Sequence, residues 1–258
     1  MRASHVLQKL HSGDVICCFK LNLSCARVIE IPAMFGFDCI WLDMEHTAND
    51  WSVIEKQINT AKAYSIDTMV RVARGGYSDY IRPLELDASG IMVPHIMSLK
   101  DAKDVVRMTR FHPIGRRPVD GGNADGAYAN IEFKEYIRQA NERRFIVVQI
   151  EDPEPLNELD AIASLEGIDI IFFGPSDFSQ GIGAPGEWEH SKIKETRKRV
   201  ADVCLSHGKF AGTGGTLTNL EEIVKMGYRF INFGADVIGV SHYCKDLMAE
   251  FRKRTALK

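Results

Sequence analysis

The chain has 258 residues, 45% of them hydrophobic and 26% charged, which is typical of a soluble globular protein with ample core. Its formal net charge of −3 at pH 7 and isoelectric point near 6.3 argue against nucleic acid or an anionic membrane as a partner. The N-terminus does not resemble a signal peptide, and no apolar run approaches the roughly 20 residues that span a bilayer. We therefore predict a cytoplasmic protein without membrane contact.

Short apolar runs alternate with longer amphipathic segments along the whole chain. Continuous hydrophobicity is typical of parallel strands that are covered on both faces. Helical spacing and capping residues predict helices within 49–64, 98–111, 191–208 and 218–227. In chain order, the predicted strands are 14–21, 39–45, 67–73, 90–96, 145–151, 168–175, 209–214 and 230–236.

Eight strand–helix alternations in a chain of this length predict one α/β domain over residues 1–258, a (β/α)₈ TIM barrel with eight parallel strands. A doubly wound open sheet is the alternative. It is disfavoured because the first strand–turn–helix contains no glycine-rich nucleotide-binding loop. The six cysteines include no C-x-x-C pair and are expected to be reduced and mostly buried.

Polar and ionisable residues collect at the C-terminal ends of the predicted strands and are nearly absent from the strand middles. Barrel enzymes hold their active sites at this end. We therefore expect a shared polar cup there. Its candidate residues are Lys20, Asp43, Glu45, His46, Arg71, His95, Glu151, Ser176, Asp177, Thr213 and Asn232 or Asp236.

Two carboxylates of the cup, Glu151 and Asp177, follow neighbouring strands that would lie about 4.8 Å apart. Carboxylates that close repel one another unless a proton or a cation lies between them. Oxygen ligands without cysteine or histidine favour a hard divalent ion that keeps waters or substrate atoms as further ligands. The alternative interpretation is a pair that caps a helix or braces a loop.

Two other residues suit proton transfer and oxyanion binding. His46 follows strand 39–45, and a histidine with its ordinary pKa of about 6.5 can transfer protons at neutral pH. Arg71 lies in an apolar strand and could hold a carboxylate or an oxyanion, or it could form an internal salt bridge with Glu45 or Glu85. A histidine fixed in a turn is the alternative for His46.

Two loops complete the candidate site. The segment GPSDFS (174–179) predicts a helix start whose backbone N–H groups suit a substrate carboxylate. The glycine-rich segment 112–129 is long for a loop inside a compact domain, which is typical of functional or interface segments or of a solvated flexible loop.

Several of these segments together resemble the HpcH/HpaI aldolases, a family of metal-dependent pyruvate aldolases. The resemblance extends from about residue 13 to residue 250, and its motifs are specific in combination. They are GFDCIWLDMEH, VRV around Arg71, GIMVPHI, TRFHPIGRRPVDGGNADGAYA, VVQIED, EGIDIIFFGPSDFS and AGTGG.

The resemblance implies a role for each site residue. Glu151 and Asp177 would bind Mg²⁺, Mn²⁺ or Co²⁺, and Arg71 would bind the oxo group and stabilise an enolate. His46 would act as the base, with Glu85 at the position of its usual aspartate partner. The remaining residues, Gln149, Gly174, Ser176, Asp177 and Asp43, would bind substrate. The family also implies a hexamer built from dimers, with the C-terminal helix packed on a neighbouring subunit.

The expected reaction is reversible cleavage of a 4-hydroxy-2-oxo acid to pyruvate and an aldehyde, with 2-oxo acids and aldehydes as small-molecule partners. Lys20, at the position of a tryptophan found in some family members, is the only lysine at the C-terminal end of a predicted strand. Because desolvation there could lower the pKa of an amine enough for it to attack a ketone, a Schiff-base aldolase that uses Lys20 is one alternative. Further alternatives are a CoA-ester lyase of the citrate or malyl type and a catalytically silent barrel that binds 2-oxo acids.

Overall fold

A computed structural model describes residues 1–256 and shows a closed barrel of eight parallel strands in the order β1 to β8, each paired with the next and β8 paired with β1. This confirms the predicted (β/α)₈ fold and all eight predicted strands. Each observed strand overlaps its predicted range. The strands are β1 Ile16–Leu21, β2 Cys39–Asp43, β3 Asp67–Arg71, β4 Gly90–Val93, β5 Phe145–Ile150, β6 Ile170–Phe173, β7 Phe210–Gly214 and β8 Tyr228–Ala235.

Helices follow the strands and form the outer layer. The expected caps are present, because Asp50 accepts from the Val53 N–H and Ser98 from the Asp101 N–H. Gly227 ends its helix in the left-handed conformation. The helices are α1 His5–His11, α2 Glu30–Met34, α3 Trp51–Ala63, α4 Tyr77–Glu85, α5 Leu99–Thr109, α6 Phe133–Arg143, α7 Leu159–Ala163, α8 Pro175–Gly181, α9 Ser191–Ser206, α10 Leu220–Met226 and α11 Asp236–Thr255.

Apolar side chains fill both faces of the sheet. Phe145, Phe172 and Phe230 meet inside the barrel, and α1 closes its N-terminal end with apolar side chains of its own. The outward-facing strand residues form a second, larger core with the surrounding helices. The barrel interior is therefore filled with side chains, and the predicted polar cup lies at its C-terminal end. Within residues 1–256, no helix is both long and apolar enough to cross a membrane.

Candidate active site

Asp43 anchors two cations at the C-terminal end of the barrel. The register places it beside Arg71, whose Nε and Nη2 donate to its two oxygens at 3.0 and 2.6 Å. Lys20 Nζ lies 2.9 Å from Oδ2. Burial alone would raise the pKa of Asp43, but the hydrogen bonds and charges of Arg71 and Lys20 prevail and lower it to about 2. Asp43 is fully buried and both of its oxygens accept from Arg71, so in this structure it holds the guanidinium in place.

The cations lie on an aromatic floor. The Arg71 guanidinium is 4.8 Å and the Lys20 ammonium 5.1 Å from the centre of the Trp41 ring. Arg71 Nη1 also lies 2.9 Å from Glu45 Oε2, but without hydrogen-bond geometry, so this buried oxygen has no donor among the described residues. Asp43 and the Trp41 ring thus hold the Arg71 guanidinium in place. The ion pair of Arg71 with Glu45, predicted as an alternative, is also present.

Glu151 follows β5 and is almost fully buried. Its Oε1 accepts the His95 N–H at 2.9 Å, and its Oε2 accepts from the Gln149 side chain. Burial raises its pKa to about 7; the His95 N–H and ring oppose this rise, and the Asp177 and Glu45 carboxylates add to it.

Gly174 makes room for this carboxylate. A Cβ at Gly174 would lie 2.7 Å from Glu151 Oε2 and 2.9 Å from Gln149 Nε2, which is closer than such contacts allow. Gly174, a predicted substrate-binding residue, lies directly against Glu151 and Gln149 at the edge of the cup. Only glycine allows the backbone between β6 and α8 to approach them so closely.

Sequence reasoning placed His95 at a strand end but gave it no function. Its ring Nδ1 lies 2.8 Å from Asp152 Oδ2, and its Nε2 lies 3.6 Å from Glu45 Oε1. Burial lowers the pKa of His95, but the Asp152 hydrogen bond and the nearby Glu151 charge prevail and raise it. His95 has a φ of 49°. In this conformation its backbone N–H donates to Glu151 while its ring contacts Asp152. The sequence signal that could have indicated a function is the position of His95 directly after Pro94, where strand β4 ends.

The residues present fit a divalent cation. Among the described residues, no cluster of three or more His, Cys, Asp or Glu side chains is arranged as a metal site. Mg²⁺-type ions need fewer protein ligands, because they keep waters and substrate oxygens. Here Asp177 in α8 lies close enough to Glu151 to raise its pKa, and the buried Oε1 of Gln149 has no partner in the described part of the chain.

His46 and Glu85 do not meet. The His46 ring is 56% exposed at the rim of the cup, and its Nε2 lies 3.4 Å from Glu45 Oε2. Glu85 ends α4 and lines an outer cavity with Trp51 and Arg82. No hydrogen bond or ion pair joins the two residues within 1–256, so the expected dyad is absent from a single copy of this chain.

Two further strand-end residues also lie outside the cup. Thr213 donates to the Phe173 carbonyl at 3.0 Å, and Asp236 accepts from the Asn22 and Leu23 N–H groups at 2.9 Å. Both side chains therefore stabilise the backbone around them. The segment 112–129 is held by a buried Arg117–Asp125 pair at 2.8 Å, so this long loop is built around its own ionic contact.

Barrel and cup together define the class: a TIM-barrel protein with carboxylates, an arginine and a histidine gathered at the C-terminal ends of its strands. The model of the family described as HpcH/HpaI aldolase/citrate lyase matches residues 16–242. The chain belongs to this family.

Individual relatives agree with the family match. The chain is 29% identical to a hydroxypyruvate/pyruvate aldolase of Pseudomonas aeruginosa, over 95% of this chain and 91% of the relative. It is 28% identical to a 2-keto-3-deoxy-L-rhamnonate aldolase of Salmonella dublin, over 94% and 91% of the two chains. The crystal structure of an HpcH/HpaI aldolase from Desulfitobacterium hafniense DCB-2 superposes with a TM-score of 0.91 at 25% identity, covering 99% of this chain and 98% of that one.

Proposed function

We propose that this protein is a divalent-metal-dependent aldolase that reversibly cleaves a 4-hydroxy-2-oxo acid to pyruvate and an aldehyde. The observation that carries the proposal is the buried carboxylate of Glu151, which lies beside Asp177 and shares its cup with a fixed arginine. The names of the two aldolase relatives support the same reaction.

Glu151 and Asp177 would hold the ion, which is Mg²⁺, Mn²⁺ or Co²⁺ in this proposal. When bound, it supplies positive charge that stabilises a 2-oxo acid and its enolate. Gln149 and the backbone N–H groups of Ser176 and Asp177 would orient the substrate carboxylate. These N–H groups lie in the first turn of α8, where helix geometry leaves them without intrahelical acceptors.

Arg71 would bind the 2-oxo oxygen and stabilise the charge that develops on it. Asp43 and Trp41 hold the guanidinium in place before substrate binds, so little reorganisation is needed during the reaction. One well-placed donor of this kind lowers the barrier by roughly 3 kcal/mol. Replacement of Arg71 by alanine should therefore slow pyruvate–enolate proton exchange, and an unchanged exchange rate would remove Arg71 from the mechanism.

His46 would take the proton of the 4-hydroxyl group during cleavage. If Glu85 assists it, the pair must form between two copies, because Glu85 lies on the outer surface of its own barrel. Mixed assemblies of His46→Ala and Glu85→Ala chains would then contain some sites with both native residues. Recovery of activity on mixing is the expected result, and no recovery from two separately inactive variants would exclude an intersubunit dyad.

The proposed oligomer rests on α11. Its side chains Val240, Tyr243, Leu247 and Phe251 recur at helical spacing along one face and are between 52% and 66% exposed. A second copy of the chain would cover this stripe in a hexamer built from dimers. Leu247→Glu should reduce the mass measured by light scattering, whereas Lys245→Ser on the opposite face should not. An unchanged mass in Leu247→Glu would remove α11 from the interface.

The reaction is tested by pyruvate release from a set of 4-hydroxy-2-oxo acids, with each divalent ion in turn. We expect turnover that EDTA abolishes and that added metal restores. Absence of turnover with every acid and ion would favour a silent barrel, and cleavage of CoA esters alone would favour the citrate-lyase type of chemistry.

A further inference from the structure

A cavity of about 380 Å³ lies in the outer helical layer, between the C-terminal half of α5 and the loop that leads into β6. The turn that follows α5 forms its third wall. Because the loop precedes β6, the cavity lies at the N-terminal end of the strands, opposite the polar cup. Its size is within the range of small-molecule sites, and the reaction proposed above makes no use of it.

Two glycines fix the shape of the cavity. A Cβ on Gly115, in the turn after α5, would lie 2.5 Å from the Val106 carbonyl oxygen. Gly167, in the loop before β6, has a φ of 98°, and a Cβ there would lie 2.9 Å from Ile114 Cγ2. Both backbone segments thus pack directly against α5 and against each other, so the cavity walls are held by backbone contacts.

Three cationic side chains, those of Lys103, Arg107 and Arg116, line this cavity. The Arg116 N–H donates to the Arg107 carbonyl at 2.7 Å, which holds the two arginines next to each other. The Val106 carbonyl accepts the Arg110 N–H at 3.0 Å. Since backbone N–H groups already cap these α5 carbonyls, the guanidinium groups of Arg107 and Arg116 remain available to a ligand.

The chain does not neutralise these cations. The acidic residues of the same helix are engaged elsewhere, because Asp101 lies 2.7 Å from Arg74 and Asp104 lies 2.6 Å from Lys100. No ion pair of the three cavity cations occurs within residues 1–256. Like charges four residues apart on a helix destabilise it, and here three cations share one cavity in a chain of net charge −3. An anionic ligand would relieve this repulsion.

The remaining lining residues indicate what else the ligand carries. Val106, Ile114 and Leu165 form an apolar wall that suits a flat or aliphatic body. Glu166 adds one carboxylate, which repels a second anionic group and accepts from hydroxyl or amino groups. Arginine forks match phosphate oxygens in geometry and charge. The cavity therefore combines an anion-binding side, an apolar wall and a hydrogen-bond acceptor.

From this combination we infer that the cavity binds a nucleoside phosphate. Arg107, Arg116 and Lys103 bind the phosphate groups, and the base lies on the apolar wall. An amino or hydroxyl group of the nucleoside donates to Glu166. The site is separate from the polar cup, and the inference does not depend on the aldolase reaction proposed above.

Calorimetric titration of the metal-loaded protein tests this inference, with saturating pyruvate and excess Mg²⁺ present so that the cup and the metal are occupied. The probes are ADP, adenosine and inorganic pyrophosphate. ADP should bind at least about tenfold more tightly than adenosine, which lacks the charge, and than pyrophosphate, which lacks the apolar body. Undetectable ADP binding would overturn the inference. Pyrophosphate binding as tight as that of ADP would also overturn it, because the cavity would then be a simple anion site.

Variants locate the binding. Arg107→Ser and Arg116→Ser should each weaken ADP binding by about tenfold, the effect of one lost hydrogen bond to a charged group. Glu166→Leu should weaken ADP binding by several-fold but strengthen pyrophosphate binding, because it removes both an acceptor and a repulsive charge. The matched control is Arg138→Ser, which removes a cation from α6 that does not line the cavity. ADP affinity that is equal in wild type and both cavity arginine variants would refute the assignment of the site.

Failure of the proposed function would appear in a different measurement, since turnover of 4-hydroxy-2-oxo acids is independent of ADP titration. A protein that binds ADP in the cavity without cleaving any such acid would contradict only the aldolase proposal.

Discussion

The N-terminal end of the barrel pairs its buried carboxylates with cations, whereas the C-terminal end leaves Glu151 beside the like charges of Asp177 and Glu45. At the N-terminal end, Asp87 is paired with Arg144 and lies 2.7 Å from Lys62 Nζ. Asp67 accepts from the Ser4 hydroxyl and from a backbone N–H at the start of α1. Both ends bury acidic groups, and Asp43 at the C-terminal end is also paired, but Glu151 has no lysine or arginine partner among the described residues.

This difference separates stability from function. A carboxylate with a fixed cationic partner favours the folded state, and removing one partner leaves the other charged and buried. A buried carboxylate near other carboxylates opposes folding until a cation binds. The C-terminal end therefore has the electrostatics of a binding site, and variants at the two ends should affect different measurements.

The largest expected effect is on turnover. Glu151→Gln keeps the side-chain size and removes the charge that would hold the ion, so we expect kcat to fall by about a thousandfold. Metal affinity, measured by calorimetry, should fall with it while the protein remains folded. Glu154→Gln, on an exposed residue of the following turn, is the matched control. Wild-type metal affinity in Glu151→Gln would refute its assignment as a ligand.

The second effect concerns the opposite end. Asp87→Asn should lower the free energy of unfolding by about 3 kcal/mol, because Arg144 would stay buried without its counterion. Asparagine tolerates the left-handed φ of 72° at this position, so the backbone itself is not strained. Urea unfolding measures the loss, and kcat should stay at its wild-type value. A large fall in kcat at equal folded fraction would break the separation between the ends.

The barrel and the cup could largely be predicted from the sequence because both depend on local pattern. Apolar runs marked the strands, and polar residues at their ends marked the site. The direction in which each side chain points, and the distances between residues of different helices and strands, could not be predicted. Thr213 and Asp236 lie at strand ends as Arg71 does, yet their side chains bind backbone groups outside the cup.

Glu85 and His95 also show that sequence alone does not predict which residues meet in the fold. Glu85 matched a motif position, but its place on α4 keeps it away from His46 of the same chain. His95 had no assigned function, and only the positive φ brings its N–H and its ring to Glu151 and Asp152. Such backbone conformations follow from tertiary packing and leave little trace in local sequence.

Asp43 lies at the C-terminal end of the barrel but is paired with cations, as Asp87 is at the N-terminal end. It therefore distinguishes whether the contribution of a carboxylate to stability depends on its cationic partner or on the end of the barrel where it lies. Its folded pKa of about 2 is below the ordinary 3.8, so its stabilisation is complete above that value and is lost as pH falls toward 2. Asp43→Asn should cost about 2 kcal/mol at pH 6, and the difference from wild type should shrink by roughly half at pH 3. Urea unfolding at both pH values provides the measurement, and a difference independent of pH would contradict the ion pair.

The smallest effect is expected at Lys20, which tests whether the cations of the cup serve as charges or as a nucleophile. Its ammonium is paired with Asp43 at 2.9 Å and lies over Trp41, and a paired ammonium has no free electron pair with which to attack a ketone. We therefore expect Lys20→Arg, which keeps the charge, to retain kcat within about tenfold, a change of at most about 1.4 kcal/mol in the barrier. Borohydride should not trap pyruvate on the wild-type enzyme. Trapping that disappears in Lys20→Arg, together with activity that survives EDTA, would instead make Lys20 the catalytic amine and reduce the acidic group at Glu151 to a structural one.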